Sequence, residues 1–241
     1  MLKAKPQLPK AVVTERRDLT PDLAVVRLQP EIPYTFTPGQ YCTIGLDGVE
    51  RPYSIVSSPH EPFLELFLEL VPHGELTPKL WTLRVGAAVS LRPRPKGVFT
   101  LEEKFPVHLM VATVTGIAPF VSMLRHAIHH GERRFRFVVL QGASYQDEFA
   151  YREELEDASA RHPELLVYIP TVSRPGEECN RGWAGATGRV NTVVEEHVER
   201  LGLPERSTAA YACGHPGMIE DMARRLTPRG FVVKEEKYWK E

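Results

Sequence analysis

Hydrophobic positions change their rhythm once along this chain. From Val12 to about Leu101 the apolar residues come in short runs broken by proline and glycine: Ala24 to Leu28, Tyr41 to Leu46, Tyr53 to Ser57, Leu64 to Leu70 and Ala88 to Arg92. Short β-favouring runs bounded by turn formers predict strands, and a close series of them predicts a small antiparallel barrel or sandwich. One helix, Thr77 to Leu83, is expected to interrupt the series, with Gly74 supplying a turn and Thr77 the N-cap.

Beyond Phe105-Pro106 the runs lengthen and alternate in type. Apolar stretches at Val107 to Val114, Phe135 to Gln141, Leu165 to Thr171 and Thr208 to Cys213 read as strands. Helical patterns fall between and after them at Pro119 to His130, Tyr151 to Arg161, Val190 to Leu201 and Gly217 to Arg225. Uniformly apolar strands alternating with helices predict a parallel sheet covered on both faces. The expected organisation is therefore two domains, an N-terminal antiparallel β-barrel over residues 1–103 and a C-terminal α/β parallel-sheet nucleotide-binding domain over residues 104–241.

Composition removes several classes of function. The 30 Lys and Arg nearly balance the 31 Asp and Glu, so nothing in the overall charge points to nucleic acid or an anionic membrane. No apolar run approaches the roughly 20 residues that span a bilayer, and Met1 to Pro6 lacks the apolar stretch of a signal peptide; a cytoplasmic protein is expected. Cys42, Cys179 and Cys213 are far apart and form no C-x-x-C pair, which argues against a metal site, a disulfide framework or an iron–sulfur cluster. Any redox cofactor must then be organic.

Four segments carry chemistry. Arg51-Pro52-Tyr53-Ser54, read as the start of a strand, combines a cation, a planar ring and a hydroxyl. An arginine can neutralise a pyrophosphate, a tyrosine can stack on an isoalloxazine, and a serine can hydrogen-bond the flavin N5. Val71 to Thr77, with Gly74, Leu76 and Thr77, leads from a strand into the expected helix, whose N-terminal amides could hold the same pyrophosphate. Ala112 to Pro119, containing Thr115 and Gly116, joins the first parallel strand to its helix, where α/β sheets bind nucleotide phosphates. Tyr211 to Met218 repeats that grammar, with Cys213 at the carboxyl end of a strand. Each segment alone also reads as ordinary structure: a half-buried ring, two strand-to-helix turns and an inert buried cysteine. His126, His129 and His130 likewise read as a solvated helix face rather than metal ligands.

Taken in order, Arg51-Pro52-Tyr53-Ser54, Gly74-Glu75-Leu76-Thr77, Thr115-Gly116-Ile117-Ala118-Pro119 and Cys213-Gly214-His215-Pro216-Gly217-Met218 resemble the ferredoxin-NADP reductase superfamily. Pro38-Gly39-Gln40-Tyr41, Gly97 to Leu101 and the ending Glu236-Lys237-Tyr238-Trp239 are similar too, and the likeness is greatest to the bacterial ferredoxin or flavodoxin reductases. The resemblance implies FAD over the barrel, with Arg51, Pro52, Tyr53 and Ser54 on one side and Gly74, Leu76 and Thr77 at the pyrophosphate. It implies NADP held by Thr115, Gly116 and Cys213 at the nicotinamide and by Ser173, Arg174 and Arg189 at the 2′-phosphate. Tyr238 or Trp239 would touch FAD. Ser54, Tyr53 and Cys213 would then be the residues nearest the reacting atoms, and the partner would be ferredoxin or flavodoxin, served by a monomer.

The chain also departs from the family pattern. Val114 stands where the family generally has glycine, and Ser144 where NADP-preferring relatives often have arginine. Two other readings stay open beside it, though no cluster-spaced cysteines favour them: an NADH-dependent reductase component of an oxygenase, and a flavin-binding electron-transfer subunit of a larger complex.

Overall fold

The computed structural model describes residues 8–237. The chain divides into two compact units, Met1–Thr100 and Leu101–Glu241, and each contains one six-stranded sheet. The first is antiparallel throughout and the second parallel throughout, as the two rhythms of the sequence predict.

The first unit comprises β1 (Lys10–Asp18), β2 (Leu23–Pro30), β3 (Tyr41–Leu46), β4 (Val49–Ser54), β5 (Leu64–Glu69) and β6 (Ala88–Leu91), with α1 (Thr77–Trp81) between the last two. The sheet order is β4-β3-β6-β1-β2-β5. A bridge between Ile55 and Leu66, with the Val56 amide donating to the Glu65 carbonyl at 2.8 Å, joins the two ends of that order and closes the sheet on itself. Leu28, Ile44, Leu64, Leu66 and Leu91 fill the interior, and Leu76 and Leu80 of the α1 region pack into the same core. Arg16 of β1 donates to the carbonyls of Leu80 (3.0 Å) and Trp81 (3.2 Å) at the end of α1, a favourable place for a cation.

Two expectations need correction here. Asp47 and Gly48 have φ of 51° and 81°, the two left-handed residues of a tight hairpin turn. The turn pairs Leu46 with Val49, so β4 begins at Val49 and Arg51 to Ser54 forms its end rather than its start. The second correction concerns α1, whose N-cap is Leu76 with no side-chain cap. The Thr77 hydroxyl is engaged elsewhere: it accepts from the Val71 amide (2.9 Å) and donates to the Val71 carbonyl (3.1 Å), closing the preceding turn.

The second unit runs β7 (Val107–Thr113), α2 (Ala118–His129), β8 (Arg136–Ala143), α3 (Arg152–Arg161), β9 (Leu166–Val172), β10 (Ala186–Thr187), α4 (Val190–Arg200), β11 (Thr208–Gly214), α5 (Pro216–Leu226) and β12 (Val232–Lys237). Its order is β10-β9-β8-β7-β11-β12. The chain winds outward from β7 through β10, then returns to the other side of β7 as β11. That reversal makes the carboxyl ends of β7 and β11 a topological switch point, where open α/β sheets bind ligands. β10 and β12 form the sheet edges and carry no continuous apolar run, which is why the hydrophobic pattern did not announce them. Among the described residues no helix is long and apolar enough to cross a membrane.

Candidate active site

In the first unit, β4 is laddered along Val49–Ser54 only to β3, the closing bridge falling beyond it at Ile55, and this one-sided pairing tolerates Pro52, which has no amide to donate. Arg51 and Pro52 are exposed, Tyr53 is half-buried against the barrel core and Ser54 is buried. Burial pushes the Tyr53 hydroxyl up to about 12. The Arg51 guanidinium donates to its neighbour's carbonyl at Glu50 (2.8 Å) and pairs with Glu75 of the turn ahead of α1. This contact spans 24 residues of sequence and brings the two candidate pyrophosphate segments together. In that turn Gly74 donates to Val71, whereas the amides of Glu75, Leu76 and Thr77 have no partner among the described residues. A guanidinium next to three free amides fits the diphosphate of a dinucleotide cofactor.

In the second unit, the ends of β7 and β11 touch. A side-chain carbon added at Gly116 would lie 2.2 Å from the Cys213 carbonyl oxygen, and one at Gly214 would lie 2.2 Å from the Thr113 hydroxyl. Gly214 also has φ of 124°, in the region only glycine enters freely. The Thr113 hydroxyl accepts the His215 amide at 2.8 Å, locking the two strand ends. Thr115, Gly116 and Cys213 are thereby gathered at the switch point, all buried. Val114 has φ of 41°, a left-handed conformation unusual for a β-branched residue. Its side chain packs with Trp183 against Ala143, Phe149 and Val172, which holds it there.

A third group lies at the carboxyl ends of β8 and β9. Arg174 donates to the Tyr145 hydroxyl at 2.7 Å and lies over the ring, 5.4 Å from its centroid. The same hydroxyl donates to Glu177 at 2.6 Å, and Glu177 also lies 3.7 Å from the arginine. Acceptance by Glu177 raises the Tyr145 hydroxyl above its ordinary range. The loops are stapled by Asn180, which is buried: its Nδ2 donates to the carbonyls of Ser144 and Arg174, and its Oδ1 accepts from the Gln146 amide, each at 2.9 Å. Ser173 follows β9 directly, its amide bonded to Ala143 at 2.9 Å. Arg189 precedes α4, next to Gly188, whose amide donates to Val172 at 2.9 Å and whose carbonyl accepts from Thr171 at 3.0 Å. Its own side chain has no partner among the described residues.

Three comparisons bear on this arrangement. Residues 110–224 match the model of an oxidoreductase NAD-binding domain. A ferredoxin NADP+ reductase from Neisseria gonorrhoeae, solved with bound FAD and NADP, superposes with a TM-score of 0.84 at 22% identity, over 98% of this chain and 100% of that one. The flavodoxin/ferredoxin–NADP reductase of Escherichia coli is 34% identical over 197 residues, 77% of each chain. The chain belongs to this reductase family. A ferredoxin–NADP reductase from Pseudomonas aeruginosa, 30% identical over 214 residues (82% of this chain and 81% of that one), agrees with the assignment. Membership makes the chain an oxidoreductase.

Reading the sequence as a reductase still missed Asn180 and Glu177. Neither belongs to a motif, and each meets its partners only because β8 and β9 are neighbours. The Asp47-Gly48 dipeptide was a readable hairpin signal that would have placed Arg51 to Ser54 correctly. Tyr238 and Trp239 lie outside the described residues. The rings of His126 and His130 are 4.2 Å apart and those of His129 and His130 4.9 Å, but among the described residues no group of three or more His, Cys, Asp or Glu is placed to hold a metal ion.

Proposed function

We propose that the chain is an FAD-dependent reductase that passes electrons between NADPH and a ferredoxin or flavodoxin, working as a monomer in the cytoplasm. The observation that carries this reading is the pairing of Arg51 with Glu75, which sets a guanidinium beside the three free amides of Glu75 to Thr77. Bound there, FAD would supply the exchange of an electron pair with nicotinamide and of single electrons with the carrier protein.

The chain's own residues bind and orient. The exposed Arg51–Glu75 pair is worth under about 1 kcal/mol, so Arg51 can exchange the carboxylate for a diphosphate at little loss. Tyr53 offers a ring face for stacking, and its raised hydroxyl keeps it neutral at working pH. Ser54 orients the flavin N5. Thr115, Gly116 and Cys213 border the nicotinamide, and Ser173, Arg174 and Arg189 receive the 2′-phosphate.

The test is direct. The purified chain should carry FAD, identified chromatographically after heat release, and should reduce ferredoxin or flavodoxin faster with NADPH than with NADH. Tyr53→Ala should weaken FAD binding about tenfold, the order expected for one aromatic stacking contact. A chain that takes up no FAD, or that keeps full hydride-transfer rate as both Tyr53→Ala and Cys213→Ala, would overturn the reading.

A further inference from the structure

The cation expected to grip a 2′-phosphate is already engaged by the chain's own acid. Arg174 Nη1 is 2.7 Å from the Tyr145 hydroxyl, that hydroxyl gives its proton to Glu177 at 2.6 Å, and the Glu177 carboxylate also lies 3.7 Å from Arg174. All three side chains reach solvent, so the arrangement is reversible rather than part of the core. A second carboxylate, Glu148, takes the amides of Ser144 (2.7 Å) and Tyr145 (3.2 Å), so those backbone donors are also occupied by an anion of the chain.

The two nucleotides would meet this cluster differently. A 2′-hydroxyl is a hydrogen-bond donor and can give its proton to the Glu177 carboxylate. A 2′-phosphate is a dianion with only acceptor oxygens, and must displace Glu177 from both Arg174 and Tyr145 while repelling it. We infer that Glu177 is the specificity-determining residue of this site, an internal competitor for Arg174 and Tyr145 that brings NADH within the enzyme's range and holds back its preference for NADPH. The inference rests on the reading that the ends of β8 and β9 take the adenosine 2′-position. It adds a determinant of opposite sign to Arg174.

Calorimetric titration of the holoprotein with two fragments, adenosine 2′,5′-bisphosphate and adenosine 5′-monophosphate, tests this without turnover. Glu177→Gln keeps the shape and a hydrogen-bonding oxygen but removes the charge. It should tighten the 2′,5′-bisphosphate about tenfold, the effect of one like charge at hydrogen-bonding range in nearly aqueous surroundings, and leave the monophosphate within about twofold or weaker. The NADPH-to-NADH ratio of kcat/KM should rise in parallel. If Glu177→Gln leaves the preference for the 2′,5′-bisphosphate over the monophosphate unchanged while Arg174→Gln lowers it, Glu177 has no such role and the site reading stands. If Arg174→Gln also leaves that preference unchanged, or if neither fragment binds the wild-type chain, the site reading fails and the inference with it.

Discussion

A single atom decides what Gly116 can be. Its α-carbon lies so near the end of β11 that a methyl group would meet the Cys213 carbonyl oxygen at 2.2 Å and its carbon at 2.6 Å. These are backbone atoms of a fully buried strand and cannot swing aside. Gly116→Ala must therefore push β7 and β11 apart at the switch point. The expected cost is about 3 kcal/mol or more, seen as a lowered denaturant midpoint, and a variant as stable as wild type would show that the close approach is not real. Gly116 was legible in the sequence because a glycine between a strand and a helix has few other reasons to be there. Val114 was legible only as a departure: its left-handed backbone explains why glycine suits that position, but no sequence pattern discloses that it packs against Ala143, Phe149 and Val172.

In the parallel sheet, the strands whose faces are both buried wrote themselves into the apolar pattern, and those at its edges did not. β7, β8, β9 and β11 are each flanked by strands on both sides and read as long apolar runs. β12 pairs on one side only and alternates exposed and half-exposed residues, so its sequence resembles a loop. The loops after β8 and β9 were less legible still, because their organiser is one buried amide. Asn180 makes three hydrogen bonds to backbone groups of Ser144, Gln146 and Arg174. Asn180→Ala would leave those part-buried groups without their partner, at about 2 kcal/mol in total. The loss should be local. Amide hydrogen exchange at Gln146 should accelerate strongly while β7 and β11 stay protected, and unchanged exchange at Gln146 would mean that some other contact holds the loops.

The behaviour of the whole molecule against pH turns on a residue outside every motif. His108 of β7 is fully buried, stacked on Phe137 with centroids 5.2 Å apart and edge-on to Phe135 at 4.9 Å. Its Nδ1 lies 3.2 Å from the Tyr211 hydroxyl, while its Nε2 has no partner among the described residues. Burial pushes its pKa down to about 4, against about 6.5 in an unfolded chain. Between those values the unfolded chain binds a proton that the folded one refuses, so stability rises with pH across that window. The contribution is complete above about pH 6.5 and is lost progressively as the pH falls toward 4. His108→Phe keeps the stacking surface and removes the proton site. Relative to that variant, wild type should lose about 2 kcal/mol between pH 7.5 and pH 5. Carboxylates common to both chains, such as Glu132, which its hydrogen bonds from Arg134 hold down to about 2, cancel in this comparison. Urea unfolding of both chains across this range decides the matter, since parallel stability curves would show that His108 takes up its proton in the folded state as readily as in the unfolded one.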